Sequence, residues 1–172
     1  MDRFAGRLSA RGPTLSPDGE THTGSVHIVE AADLAAARRF ADQEPYAQAG
    51  LYAALSVCPF ADALGGSMWD RPAASSDVAS SMVLVATPPD RVDPSDHLAS
   101  WRATTASLPL DGIVFGGLLL SDDARDTVGL VLAIDRDLPA TEPIVASLDT
   151  ARTARSIVAQ RWCRGGRPDA RP

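Results

Sequence analysis

Residues 11–30 read RGPTLSPDGETHTGSVHIVE, and residues 116–135 read GGLLLSDDARDTVGLVLAID. The two stretches align without a gap. Gly12, Leu15, Ser16, Asp18, Gly24 and Val26 fall on Gly117, Leu120, Ser121, Asp123, Gly129 and Val131. Val29 and Glu30 fall on the conservative partners Ile134 and Asp135. Both stretches read as an apolar strand, an acidic turn and a second strand opened by Gly. Self-similarity of this kind marks a duplicated unit, here an α+β unit, with a site built between two halves.

Working outward from the first copy, Phe4 and Leu8 stand at helical spacing, which predicts a short helix over residues 3–11. Pro17-Asp18-Gly19 is turn chemistry, because Pro presets φ and Gly accepts φ > 0. Asp33 is a helix N-cap, and Leu34, Ala37, Phe40 and Ala41 share one face of the helix that follows. Pro45 disfavours helix at Glu44 and ends it. A strand is expected at 53–60. Residues 61–80, small and polar, read as the connection between copies.

In the second copy a strand is expected at 82–86, then a helix capped by Ser95 that carries Leu98, Trp101, Thr105 and Leu108. Strands follow at 113–120, 128–135 and 156–162. A short helix is expected at 143–148, with Pro143 in its first turn. The second copy therefore reads β-α-β-β-α-β, the split βαβ or ferredoxin-like order. The first copy reads α-β-β-α-β and lacks the opening strand, which in such a sheet is central. The predicted architecture is two ferredoxin-like units, 1–70 and 81–163, joined by a linker at 71–80. Their antiparallel sheets are expected to pack face to face as an intramolecular pseudo-dimer. Residues 164–172 read as a disordered tail.

Composition bounds the function. An apolar fraction of 45% belongs to a folded protein. The net charge is −6, and no dense basic cluster sits on a folded element, so nucleic-acid binding lacks its electrostatic footprint. Residues 112–120, the longest apolar run, would cross about half a membrane. The first residues carry no apolar core of a signal peptide, which makes the cytoplasm the expected location. Cys58 and Cys163 are isolated, with no His at ligand spacing. There is no glycine-rich nucleotide fingerprint, no phosphate loop, no serine-hydrolase elbow and no zinc-protease motif. Neither cofactor nor metal is expected.

Residues 12–60 resemble the YCII-related family. GPTLSPDG is similar to the family's GP-(apolar)-DDG, and GSVHIVEA to its GS-(apolar)-VEA, followed by an amphipathic helix. EPY at 44–46 and AGL at 49–51 are similar to DPF and AGL/AGV. The second copy is a degenerate match, in which SDHLASWR resembles the family's HLAYLR. The resemblance implies ferredoxin-like units packed as a dimeric α/β barrel. It also implies, in some members, a small enzyme with a His/Asp pair in the barrel cavity; related members act on chlorinated or hydroxylated aromatic compounds. The family's Asp falls on Glu44. The family's His falls on His97 in the second copy, and in the first it would lie just before Met1.

The candidate catalytic residues are therefore His97, Glu44 and His27. An imidazole titrating near neutrality shuttles protons, and a carboxylate orients it or accepts the proton. His27 alternates with Val26 and Ile28 and so faces away from them; if those two meet the helices, His27 points into the barrel beside Ser25. Tyr46, Tyr52, Trp101 and Ser25 are candidate pocket-lining residues. Two readings stand. The first is a cofactor-independent, isomerase- or lyase-like enzyme that moves a proton on a small cyclic or aromatic substrate. The second is a non-enzymatic module that binds a small molecule or a protein. A small-molecule ligand is the expected partner, with no nucleic acid and no membrane, and the chain acting as a monomer or homodimer.

Overall fold

The repeated turns fold alike. In chain order the elements are β1 (Leu8–Leu15), β2 (His22–Val29), α1 (Leu34–Asp42), α2 (Pro45–Gln48), β3 (Phe60–Asp62), a 3-10 turn (Met68–Asp70), β4 (Ser81–Thr87), α3 (Pro94–Ala106), β5 (Ile113–Leu120), β6 (Thr127–Ile134) and β7 (Ser156–Trp162). The computed structural model describes residues 7–71, 81–88, 90, 92–106, 112–135 and 156–166. The helix expected at 143–148 lies outside the described residues.

β1–β2 and β5–β6 are antiparallel hairpins of eight-residue strands. In the first turn Ser16 N donates to Thr21 O (2.8 Å) and Gly19 N to Ser16 O (2.8 Å). In the second, Ser121 N donates to Asp126 O (2.8 Å) and Ala124 N to Ser121 O (2.8 Å). Ser16 and Ser121 donate to Asp18 and Asp123, which in turn accept from the backbone of Glu20 and Arg125. The register irregularities also correspond, Leu8/Ala10 with Ile113/Phe115 and Thr14/Leu15 with Leu119/Leu120. Gly19 and Ala124 hold φ of 84° and 57°, the left-handed conformation that the turn requires.

The flanking strands obey the same correspondence. Cys163 N donates to Pro13 O, and Gly165 N to Arg11 O (2.8 Å). On the second hairpin Ala61 pairs with Leu118, and Ala63 N donates to Gly116 O (3.1 Å). A Cβ on Gly12 would overlap the Cys163 carbonyl and the Trp162 ring; a Cβ on Gly117 would overlap the Ala61 carbonyl and the Phe60 ring. Close approach of neighbouring chain explains both glycines.

All seven strands form one antiparallel sheet, ordered β2-β1-β7-β4-β6-β5-β3. The second half runs β7-β4-β6-β5, with β4 between the third and fourth strands of its unit as expected. β1 joins β7 through the pairs Thr14–Trp162 and Leu15–Arg161. Val26 and Phe60, from opposite edges, both pack on the cluster of Met68, Val83, Phe115, Val131 and Trp162, so the sheet curls around it. On the outer side α3 closes a second cluster, with Trp101 against Leu118, Leu130, Leu132 and Ile134.

Several expectations are corrected. Helix at 3–11 gives way to β1 from Leu8, because full pairing with β2 overrides a single i, i+4 contact. The strand at 53–60 shrinks to Phe60–Asp62, with Leu51 and Leu55 left exposed. The described part of the connection expected at 61–80, residues 61–71, is structured. Met68 is fully buried, and Arg71 Nη2 and Nη1 donate to the carbonyls of Gly65 (2.6 Å) and Val114 (3.1 Å). Asp93, not Ser95, caps α3, because Pro94 suits the first turn and the Asp93 carboxylate accepts from Ser95 N (2.9 Å). Residues 163–166, read as tail, run beside β1. The Arg164–Asp135 ion pair (2.7 Å) and the bond from Arg164 to Arg71 O (2.9 Å) tie them down. The two expected sheets are one continuous sheet.

Candidate functional site

α1 begins where Asp33 accepts from Ala36 N (2.6 Å), and it ends before Glu44 as Pro45 requires. This short helix lays Phe40 over β2. The Phe40 and His27 rings meet edge-on at 5.7 Å. Val26 and Ile28 pack into the cluster inside the curl, so His27 points outward to the helix side. This reverses the expected orientation: the apolar pair fills the interior because Trp162 and Phe115, stacked edge-on at 5.6 Å, need apolar neighbours. Inside the curl the described side chains of Met68, Val83, Phe115, Val131 and Trp162 pack together.

Four of the candidate residues gather around His27. Ser25 Oγ lies 3.2 Å from His27 Nδ1, and Tyr52 OH donates to Ser25 Oγ at 3.4 Å. Tyr46 stands 6.2 Å from Tyr52, ring centre to ring centre. Glu44 is buried, and its Oε2 accepts from the backbone of Tyr46 (2.8 Å) and Ala47 (3.1 Å), which caps α2. Burial pushes the His27 imidazole below its ordinary value; the Glu44 carboxylate opposes this, and Arg11, its cross-strand partner, adds to it. Burial raises the Tyr52 phenol, Ser25 opposes this and the Glu44 carboxylate reinforces it. The group is thus a neutral imidazole, two hydroxyls and a buried carboxylate on the outer face of the first hairpin. Tyr46 and Leu51, more than half exposed, supply apolar surface beside it.

His97 and Trp101 stand elsewhere. Both lie on α3, at 5% and 2% exposure, and the Trp101 ring covers Gly116 and touches Leu132. Trp101 belongs to the core. Burial lowers the His97 imidazole, and its Nδ1 has no hydrogen-bond partner among the described residues. No polar contact joins His97 to Glu44 or His27 among the described residues. An open cleft of about 400 Å³ lies beside α1, walled by Arg38, Asp42, Leu55, Ser56 and Val57, and holds none of the candidates. The described residues contain no group of three or more metal-ligating side chains. No helix among them is long and apolar enough to cross a membrane.

Sequence reasoning missed Arg11. The signal lay in its register: the residue aligned with Gly116 stands directly across the ladder from His27. No curated protein and no solved structure matches the chain. The turn, the hairpin, α1 and the EPY cap all fall in residues 3–61, the span matched by the family model of the YCII-related domain.

Proposed function

We propose that the outer face of β1–β2 binds a small cyclic or aromatic compound, and that His27 moves a proton on it without a cofactor. One observation carries this reading: a neutral, half-buried imidazole has a hydroxyl 3.2 Å away and feels a buried carboxylate. With His27 Nδ1–H donating to Ser25 Oγ, Nε2 keeps its lone pair for the substrate proton. The Glu44 charge then stabilises the imidazolium that forms. His27 returns the proton to a different substrate atom, which is an isomerase- or lyase-type cycle. Glu44, held by two backbone N–H groups, is a positioning residue in this scheme. His97, buried on α3, has no part in this scheme.

The wider reading is a tandem duplication, with units at 1–70 and 81–163 and a linker at 71–80, forming an intramolecular pseudo-dimer in a cytoplasmic monomer. Matching turns, bulges and glycine contacts support it. The strand order supports it as well. Curled into a ring, the described strands β2-β1-β7-β4-β6-β5-β3 follow the order of two split βαβ sheets joined edge to edge, with no described strand between β3 and β2. That place is where the first unit's opening strand belongs. A second reading, ligand binding without turnover, draws on the filled interior around Trp162 and Met68.

The test is solvent deuterium incorporation into a panel of enolisable cyclic ketones, lactones and hydroxylated aromatics, followed by proton NMR. General base catalysis supplies about 10²–10⁴-fold, so His27→Asn should remove that much of the exchange rate. Exchange unaffected by His27→Asn would refute proton transfer at this site.

A further inference from the structure

The outer faces of the two hairpins differ most at one place. On β5 it is Gly116, where a Cβ would collide with the Trp101 ring. On β1 it is Arg11. A full side chain stands where the other hairpin accepts none. Arg11 lies directly across the ladder from His27, on the same face. Its Nε donates to the Gly166 carbonyl at 2.9 Å. Its two terminal nitrogens carry no hydrogen bond and no ion pair among the described residues. Glu44, the nearby carboxylate, is engaged by Tyr46 N and Ala47 N. The guanidinium is therefore anchored at one nitrogen, and no described residue bonds its outer edge.

We propose that Arg11 is a specificity residue and that the ligand of this face carries a carboxylate, which the outer edge of the guanidinium grips through two parallel N–H···O bonds. This rests on the binding site proposed above and names its substrate class. Arg suits the task because its planar fork matches a carboxylate and it stays charged. The chain's net charge of −6 attracts no anion at long range, so the selectivity must come from this local cation. A ring held near Tyr46 and Tyr52, with its carboxylate on Arg11, would lie across His27. Its polar substituents would then face Ser25 and Tyr52.

The test uses the full chain and three probes: benzoate, 2-hydroxybenzoate and the uncharged benzamide. Binding is followed by calorimetry and by the NMR signals of His27, Ser25 and Tyr52. The carboxylates should bind more tightly than benzamide. Arg11→Gln should weaken them by about 10- to 100-fold and leave benzamide unchanged, in keeping with hydrogen bonds to charged groups. Arg11→Lys, which keeps the charge but loses the fork, should fall between. Thermal unfolding of both variants checks that the Gly166 contact is not needed for folding. If all three probes shift the same signals with equal affinity, the carboxylate assignment is wrong while the site stands. If none perturbs these signals, both the assignment and the site reading fall.

Discussion

The outer face of β5–β6 presents Gly116, Leu118, Leu120, Leu130, Leu132 and Ile134, and α3 seals it with Trp101. The corresponding places on β1–β2 hold Arg11, Pro13, Leu15, Ser25, His27 and Val29. One backbone frame thus supports a core in one half and a polar cluster in the other. The interior-facing positions do not diverge in this way. Ala10, Val26 and Ile28 pack on the same cluster as Phe115, Val131 and Ala133. Inward residues are constrained by a shared packed interior, where a change of one methylene is felt. Outward residues on the first hairpin meet Phe40 at His27 and residues 165–166 at Arg11, which leaves room for polar groups. The polar cluster proposed as the site thus lies on the outer face of the first hairpin, where Arg11 and His27 stand in place of Gly116 and Leu132.

The largest test of this contrast is on the sealed face. Trp101→Ala should cost about 3–5 kcal/mol in chemical denaturation, the usual range for an aromatic truncated in a core. Gly12→Ala and Gly117→Ala probe the shared frame, since each new Cβ meets a neighbouring carbonyl and ring. Both should lose about 1–3 kcal/mol, by amounts close to each other. A loss confined to one of them would break the correspondence between the hairpins. Next is acid. His27 and His97 are both held below the ordinary imidazole value by burial. As pH falls through about 6.5 the unfolded chain takes up protons before the folded one does. Stability should therefore fall from pH 7.5 to pH 5.5 and level off below the folded values. His97→Gln should flatten that slope; an unchanged slope would show that His97 is not held neutral. Asp18, Asp93 and Asp123 are lowered by their serine and backbone hydrogen bonds, so their contribution fades in a separate window below about 3.8. The smallest effect is expected at the exposed Arg38–Asp122 pair, where Arg38→Ala should change stability by under about 1 kcal/mol.

Much of the frame was legible in the sequence. Turn chemistry at Pro17-Asp18-Gly19 and at Asp122-Asp123 located both hairpins, because turn residues act locally. Asp33 and Pro45 bounded α1 for the same reason. The strand at 8–11 was hidden, since its partners lie across the turn and the Phe4/Leu8 spacing mimics a helix. Residues 61–71 read as a linker because their order comes from Arg71 and Arg164, whose bonds reach carbonyls far along the chain. Around His27 cluster Glu44, legible from the family pattern, Ser25, legible from alternation, and Tyr46 and Tyr52, legible as spaced aromatics. His97 and Trp101, the other two candidates, lie on α3 over the second hairpin. Helical spacing gives the face a residue occupies and not which hairpin that helix covers.

The most direct measurement is the stability of the double variant Ser25→Leu/His27→Leu, which gives the first hairpin the residue type of Leu130 and Leu132 at both places. If the polar cluster exists for ligand and proton handling, replacing both partners of one contact by apolar groups should be neutral or stabilising. Urea denaturation should then show a midpoint equal to or above that of the parent chain, while the NMR response to benzoate disappears. A loss of more than about 2 kcal/mol, comparable to breaking a buried network, would mean that the cluster holds the fold together, and would contradict the reading of this face as a site.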